Sequence, residues 1–233
     1  MIALTSLAPG AERVLAQRER LASWRAAGLQ PVSVNHHDEI PWLQGAYHGV
    51  EFSATHMTAE KTFGRPYVRI NALLEEVSRR GEPCLFINAD LTCSALAGLL
   101  PLLAERSTTV LPYLLQWNHT AAGTYVVEPC GISAFVVHPR LASICAESTL
   151  CLGQPWWDYW LPFAALLAGE TFVTPEQPVL VHEYHSSRWS EDNWLTCATE
   201  FARLCGGRVE DHESASRLSA MVHAAIQAKT VQL

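Results

Sequence analysis

Glu82-Pro83-Cys84-Leu85-Phe86-Ile87-Asn88-Ala89-Asp90-Leu91 decides how this chain is read. Cys84 to Ile87 is a short apolar run without polar alternation, the pattern of a strand buried on both faces. The run ends abruptly in an amide and a carboxylate two residues apart. Positions i and i+2 of an extended segment point to the same side, so Asn88 and Asp90 can face one ligand together. A carboxylate there suits a hard divalent cation, which takes oxygen ligands and bridges phosphates. The carboxyl ends of strands are also where open α/β sheets bind their ligands. The same spacing has a second reading, in which Asn88 and Asp90 cap a following helix over Ser94 to Glu105.

Working outward, the first half alternates strand and helix. Ile2 to Thr5 reads as a strand, and Ala11 to Ala27 as a helix with Val14, Leu15, Leu21 and Trp24 on one face and Gly28 as its stop. Pro31 to Asn35 and Val50 to Ser53 read as two further strands. Pro66 to Arg80 reads as a helix with a stripe of Tyr67, Ile70, Leu73, Leu74 and Val77, stopped by Gly81. This order predicts a mostly parallel central sheet flanked by helices, with right-handed crossovers. Polar residues then gather beside Asp90 at one sheet edge: Thr5-Ser6-Leu7, Asn35-His36-His37-Asp38 and Ser53-Ala54-Thr55-His56.

The second half is less regular. Thr108 to Trp117, Thr124 to Glu128 and Ser133 to His138 read as strands. Trp156 to Ala168 reads as a helix, with a kink or break expected at Pro162. Phe172 to Thr174 and Val179 to His182 read as short strands, and Asn193 to Cys205 and Ser214 to Gln227 as closing helices. No repeat or Pro/Gly-rich linker divides the chain, which predicts one continuous domain.

Bulk properties narrow the class. The 233 residues are 49% hydrophobic and 17% charged, which is the composition of a globular protein. A formal net charge of −7 argues against a general nucleic-acid binder, which carries a basic face. Residues 1–9 lack a basic region followed by a long apolar core, so no signal peptide is expected. The longest apolar stretch, Ala95 to Ala104, is broken by Gly98 and Pro101 and falls far short of a membrane span. Seven scattered cysteines without a Cys-x-x-Cys pair exclude a zinc ribbon and fit buried thiols in a reducing cytoplasm.

On Ile87-Asn88-Ala89-Asp90 and the alternation before it, the chain resembles the GT-A fold of nucleotide-sugar-dependent glycosyltransferases. The resemblance runs from Ala3-Leu4-Thr5-Ser6 to about Trp194. It implies a single Rossmann-like domain, with residues 1–92 binding the nucleotide sugar and residues 93–233 forming the acceptor half and the C-terminal helices. Asn88-Ala89-Asp90 stands where that fold carries its Asp-x-Asp motif. By that resemblance Asp90 binds a divalent metal, Mn²⁺ or Mg²⁺, that bridges the donor diphosphate. Asn88 departs from the usual first Asp, though its amide oxygen can accept from a ribose hydroxyl or a metal-bound water.

The resemblance assigns further residues. In Gly153-Gln154-Pro155-Trp156-Trp157-Asp158-Tyr159-Trp160, Asp158 takes the place of the acid that acts as base or orients the acceptor hydroxyl. Its aromatic neighbours would desolvate it and raise its pKa. Trp156 and Trp157 are candidates to stack on an acceptor sugar, or else core tryptophans around an N-terminal helix acid. In Val181-His182-Glu183-Tyr184-His185-Ser186-Ser187-Arg188, His185 matches the late histidine that completes the metal site, with His182 as runner-up. Arg188 suits a leaving diphosphate or a surface ion pair with Glu191 or Asp192.

Thr5, Ser6 and Asn35 stand where such a fold cradles base and ribose. Arg65, beside the expected helix start at Pro66, is a candidate for the donor phosphates. Gly131 is a candidate for close approach of a sugar. His36, His37 and Asp38 are either base contacts or a polar loop.

The expected activity is metal-assisted transfer of a sugar from a nucleoside-diphosphate sugar to a saccharide or other hydroxyl acceptor. A lipid-linked acceptor would need only a peripheral membrane contact. Two alternatives stay open: a non-catalytic nucleotide- or sugar-binding protein on the same scaffold, and a metal-dependent phosphate-ester hydrolase using Asp90, His182 and His185.

Overall fold

The computed structural model describes residues 1–119, 124–183 and 189–233, with backbone alone at 128–130 and 183. In chain order its elements are β1 (Ile2–Thr5), α1 (Ala11–Ala26), β2 (Gln30–His36), α2 (Ile40–Ala46), β3 (Glu51–Thr55), α3 (Glu60–Phe63), α4 (Ile70–Arg80), β4 (Cys84–Ile87), β5 (Leu91–Cys93), α5 (Leu100–Arg106), β6 (Leu111–His119), β7 (Tyr125–Val137), α6 (Trp157–Leu167), β8 (Phe172–Thr174), β9 (Leu180–Glu183), α7 (Glu191–Leu204), α8 (His212–Gln227) and β10 (Thr230–Gln232). A single 3₁₀ turn follows β7 at Pro139–Leu141.

The strands form one mixed sheet in the order β10-β8-β6-β7-β4-β1-β2-β3, with β9 beside β6 and β5 beside β9. Its first half is parallel, as the strand–helix alternation predicts: β1 pairs with β2 and β4, and β2 with β3. Beyond β4 the sheet is mixed, with β8 and β9 parallel to β6 but β7 antiparallel, so the expectation of a mostly parallel sheet is met only in part. β7 runs antiparallel to both β4 and β6, placing Phe86 opposite Phe135. The connection from β6 to β7 is too short for the crossover that parallel neighbours require, so the pair can only be antiparallel.

The continuous apolar reading of β4 holds residue by residue. Cys84 to Ile87 are all 0% exposed. Cys84 and Phe86 join the core under α4, α6, α7 and α8, while Leu85 and Ile87 join the core under α1, α2 and α5. A strand with helices on both faces has no polar side to show. Gly28 and Gly81, at φ +83° and +69°, stop α1 and α4 where left-handed backbone is needed. Of the stripe expected on α1, Leu21 and Trp24 are buried, but Leu15 is 71% exposed.

Two element starts differ from the sequence reading. The helix expected from Pro66 begins at Ile70, because Val68 and Arg69 are taken by bridges to Thr58 and Cys151. The helix expected from Ser94 begins at Leu100; the Ser94 N–H instead donates to Val179 O at 3.1 Å, continuing from β5. In both places a tertiary partner for the backbone outweighs local helix propensity. Pro162 lies inside α6, which runs through it.

One ion cluster ties α4 to the edge strand. Glu76, 4% exposed, accepts from Ser53 Oγ at 3.0 Å, Arg79 Nε at 2.9 Å and Arg80 Nε at 2.6 Å, and Arg80 also reaches Glu51. Burial pushes the Glu76 carboxyl up, but the bonds from Arg79, Arg80 and Ser53 outweigh it and hold it below the ordinary range. The stabilisation is therefore present above the ordinary glutamate pKa and is lost as pH falls toward the folded value. Glu76→Ala leaves the partly buried Arg80 with Glu51 alone and Ser53 and Arg79 without their acceptor, and is expected to cost about 3 kcal/mol. Urea denaturation at pH 7 checks this, and an unchanged midpoint would show that the cluster contributes nothing.

Candidate functional site

The connections out of β1 lead through β2 to β3 on one side, while β4 pairs on the other. The crevice outside the carboxyl ends of β1 and β4 is thus the point where strand order reverses, the usual ligand position of an open α/β sheet. A cleft of about 1120 Å³ opens there. Ser6, Arg65, Asn88, Asp90, Asp158 and His182 all line it.

Asp90 reaches the cleft by a chain of local causes. The Leu91 N–H donates to Asn88 O at 3.3 Å, turning the chain out of β4. β5 is then anchored to α1: Trp24 Nε1 donates to Leu91 O at 2.8 Å, and the Cys93 N–H donates to Ser23 Oγ at 3.1 Å. β5 pairs antiparallel with β9, with Leu91 opposite His182. This brings Asp90 Oδ2 to 3.6 Å from His182 Nε2. The helix-cap reading of Asn88 and Asp90 falls, because the N-cap of α5 is Leu99.

His182 is itself positioned. Its Nδ1 lies 3.2 Å from Asn118 Oδ1 across the β6–β9 pair. Asn118 Oδ1 also accepts from Gln116 Nε2 at 2.9 Å, and Gln116 Oε1 accepts from Ser133 Oγ at 2.8 Å. An oxygen already serving as acceptor selects the tautomer with hydrogen on Nδ1. His182 Nε2 then faces the Asp90 carboxylate. Asn88 Oδ1, in the same cleft, is buried with no hydrogen-bond partner. The Asp90 carboxylate, the His182 imidazole and the Asn88 amide line one cleft, and a mixed O/N set of this kind fits a divalent cation.

Asp158 stands in the first turn of α6. Its Oδ1 is buried without a hydrogen-bond partner. Burial pushes its carboxyl up to about 7, against a partial downward pull from the backbone N–H groups of Asp158, Tyr159 and Trp156. A carboxylate with that pKa is poised to exchange a proton near neutral pH. The turn carrying it is strained: Trp156, its N-cap, has φ +72°. It is the one non-glycine residue with positive φ among the described residues. The left-handed region costs an aromatic residue about 1 kcal/mol. Packing against Phe201, Trp194 and Tyr159, with ring centroids 5.1 to 5.5 Å apart, holds it there. Such strain accumulates at functional sites.

The remaining candidates divide. Ser6 and Arg65 reach the cleft, and Arg65 is exposed with no ion-pair partner among the described residues. It arrives on the loop after α3, since α4 begins at Ile70, so no helix N-terminus stands directly beside it. Gly131 also lines the cleft. Thr5 is fully buried and does not line the cleft. Asn35, 1% exposed, is committed to the protein: Nδ2 donates to Leu7 O at 2.9 Å and Glu39 Oε2 at 3.0 Å, and Oδ1 accepts from Ser33 Oγ at 2.6 Å. It shapes the β1 exit rather than touching a base or ribose.

Trp156 and Trp157 border the cleft but are 1% and 2% exposed. Their faces are used by Phe201, Trp194 and Phe135, so they serve as core residues and offer no open ring to a sugar. The exposed aromatic of the cleft is Trp189, at 36%. His185 and Arg188 lie outside the described residues. His182, the runner-up histidine, lies beside Asp90. The orienting pair Gln116 and Asn118 went unread because nothing local marks two polar residues on a strand as partners of a distant histidine. Their alternate spacing, which puts them on one strand face, is the only signal present.

The described cysteine side chains are all free. Burial pushes the thiols of Cys84 and Cys93 up to about 12, which makes them inert at neutral pH. Among the described residues no helix is long and apolar enough to cross a membrane.

No protein-family model matches the chain, and no curated protein matches it. Among solved structures it is similar to the crystal structure of HddC from Yersinia pseudotuberculosis, with TM-score 0.39 and 8% identity over 63% of this chain and 80% of that one. A likeness that distant carries no argument about activity.

Proposed function

We propose that this chain is a metal-assisted glycosyltransferase of the GT-A type, moving a sugar from a nucleoside-diphosphate sugar to a saccharide or other hydroxyl acceptor. One observation carries the reading. A single cleft at the reversal point of the sheet holds both the Asn88, Asp90 and His182 donor set and the buried carboxyl of Asp158.

Asp90, His182 and the Asn88 amide oxygen would hold a divalent cation, Mn²⁺ or Mg²⁺. The chemistry it supplies when bound is charge neutralisation at the leaving diphosphate. Asn118 and Gln116 keep His182 Nε2 turned toward Asp90 in the cleft. Ser6 and Arg65 border the same space, and Arg65 offers a guanidinium to the donor phosphates. Asp158 takes the proton of the acceptor hydroxyl as that oxygen bonds to the anomeric carbon and the carbon–diphosphate bond breaks. Trp189 offers the acceptor an accessible ring face.

The test is a thermal-shift panel of UDP, GDP, CMP and dTDP, each with and without Mn²⁺, on wild type and Asp90→Ala. A ligand that binds only the native state stabilises it, by about 2.7 kcal/mol at a hundredfold excess over Kd. The expected result is a Mn²⁺-dependent shift with one nucleotide, lost in Asp90→Ala. No shift with any nucleotide would remove the donor site. Binding without turnover of any sugar donor would leave a nucleotide-binding protein. Product formed without an added acceptor would indicate a phosphate-ester hydrolase.

A further inference from the structure

We propose that His36, His37 and His56 form a second metal site, for a borderline transition ion of the zinc class, at the carboxyl ends of β2 and β3. It is built from residues other than the Asn88, Asp90 and His182 set, and it stands or falls independently of the proposed activity.

The parallel register creates the cluster. His36 pairs with Thr55 at the last rung of the β2–β3 ladder, so His37 and His56 each lie one residue past it on neighbouring chains. The three imidazoles gather there, with centroids 4.2 Å apart for His36 and His37, 4.5 Å for His37 and His56, and 6.0 Å for His36 and His56. One ligand nitrogen from each falls within 4.8 Å of the others. Tetrahedral zinc, with bonds of about 2.05 Å, needs nitrogens about 3.4 Å apart. Small side-chain rotations close that difference, since His37 and His56 are exposed. Imidazoles at a solvent-facing edge bury little apolar area, so packing alone gives weak reason for their convergence.

Asp38 completes the arrangement. Its carboxylate lies 3.1 Å from His37 Nε2 and 3.6 Å from His36 Nδ1. A carboxylate accepting one ring N–H leaves the other nitrogen basic and aimed at the ion, the usual outer partner of a zinc-bound histidine. His37 Nδ1 and His36 Nε2 remain for the metal, with His56 as third ligand and solvent as fourth. Three imidazoles select zinc, nickel or copper over magnesium or manganese, whereas the carboxylate and amide oxygens at Asp90 suit the harder ions. The ion would fasten the turn leading into α2 to the end of β3. That turn carries Glu39, which lines the cleft and accepts from Asn35.

The experiment titrates the metal-free full chain with Zn²⁺ at pH 7.5 by competition with a chromophoric chelator, and repeats it with Co²⁺ to read the ligand-field spectrum. Four further proteins are compared: the double variant His37→Ala/His56→Ala, Asp38→Asn, Asp90→Ala and Asp90→Ala with the double variant. Both replaced histidines are exposed, and far-UV circular dichroism confirms that the double variant folds. The expected result is one equivalent of Zn²⁺ and a Co²⁺ spectrum of nitrogen ligation, both lost in the double variant and retained in Asp90→Ala. Asp38→Asn should weaken binding 10- to 100-fold. The midpoint of thermal unfolding should rise with Zn²⁺ in wild type and not in the double variant. The proposal is overturned if wild type takes up no Zn²⁺, or if the folded double variant binds it with the same stoichiometry and affinity.

Discussion

Asp158→Asn is expected to lower the transfer rate by at least about a hundredfold while making the protein more stable at pH 8. Both effects follow from a carboxyl buried with an unpartnered oxygen and pushed up to about 7. In the unfolded chain the same group titrates near about 3.9. Below about pH 4 it is protonated in both states, and ionisation makes no difference to stability. Between about 4 and about 7 the unfolded chain ionises while the folded protein keeps the proton, so stability falls as pH rises. Above about 7 the loss is complete, and it amounts to up to roughly 4 kcal/mol.

Asparagine carries no such penalty. The stability gap between variant and wild type should therefore be absent at pH 4, open through pH 4 to 7 and level off by pH 8. Urea unfolding at several pH values measures it. In wild type the rate should rise through pH 7 as the carboxylate forms, and the variant should lose that rise. A variant with normal turnover at pH 8 would end the assignment of Asp158 as base. A stability gap constant with pH would show that the group is not perturbed by burial.

Asp90→Asn is the second large expectation. The substitution keeps the size of the side chain and removes the charge that faces His182 Nε2 at 3.6 Å. Removing one such electrostatic group costs about 10²- to 10³-fold in rate. Nucleotide binding should persist weakly and lose its Mn²⁺ dependence. Asn118→Ala should act through His182, since it removes the acceptor that selects the Nδ1–H tautomer. A loss of about 10- to 100-fold in Mn²⁺ affinity is expected, with recovery at saturating Mn²⁺. That recovery separates a positioning residue from a ligand, because Asp90→Asn should stay slow at any metal concentration. Full Mn²⁺-dependent turnover in Asp90→Asn would reduce the Asp90–His182 contact to an ordinary ion pair between two strands.

Much of the framework was legible before any coordinates. Cys84 to Ile87 reads as a strand buried on both faces because both of its faces meet helices. Gly28 and Gly81 mark helix ends because each adopts a backbone that other residues resist. The polar strand ends collect at one edge because parallel strands share a direction, and three of the expected residues, Ser6, Asn88 and Asp90, line the cleft there. Asp158 was legible as a carboxyl among aromatics, and that composition is what raises its pKa.

Other readings failed for a common reason. Trp156 and Trp157 stand beside Asp158 in sequence, but which ring faces are covered depends on Phe135, Trp194 and Phe201, which come from other elements. Asn35 has the chemistry of a ribose contact, yet Ser33, Leu7 and Glu39 occupy its hydrogen bonds. Ser94 to Leu99 lie in a stretch read as helix, but Val179 takes the Ser94 N–H, a backbone partner that local propensity cannot anticipate.

The sequence by itself determined an α/β chain with a buried strand at Cys84 to Ile87, and an amide and a carboxylate at its carboxyl end. Only the tertiary structure decided what meets them there. Periodicity and caps are local properties, set by neighbours within a few residues. The partner of a three-residue strand such as β5 is set by which distant strand completes its hydrogen bonds. That choice put His182 against Asp90, and the register of β2 on β3 drew His36, His37 and His56 into one cluster.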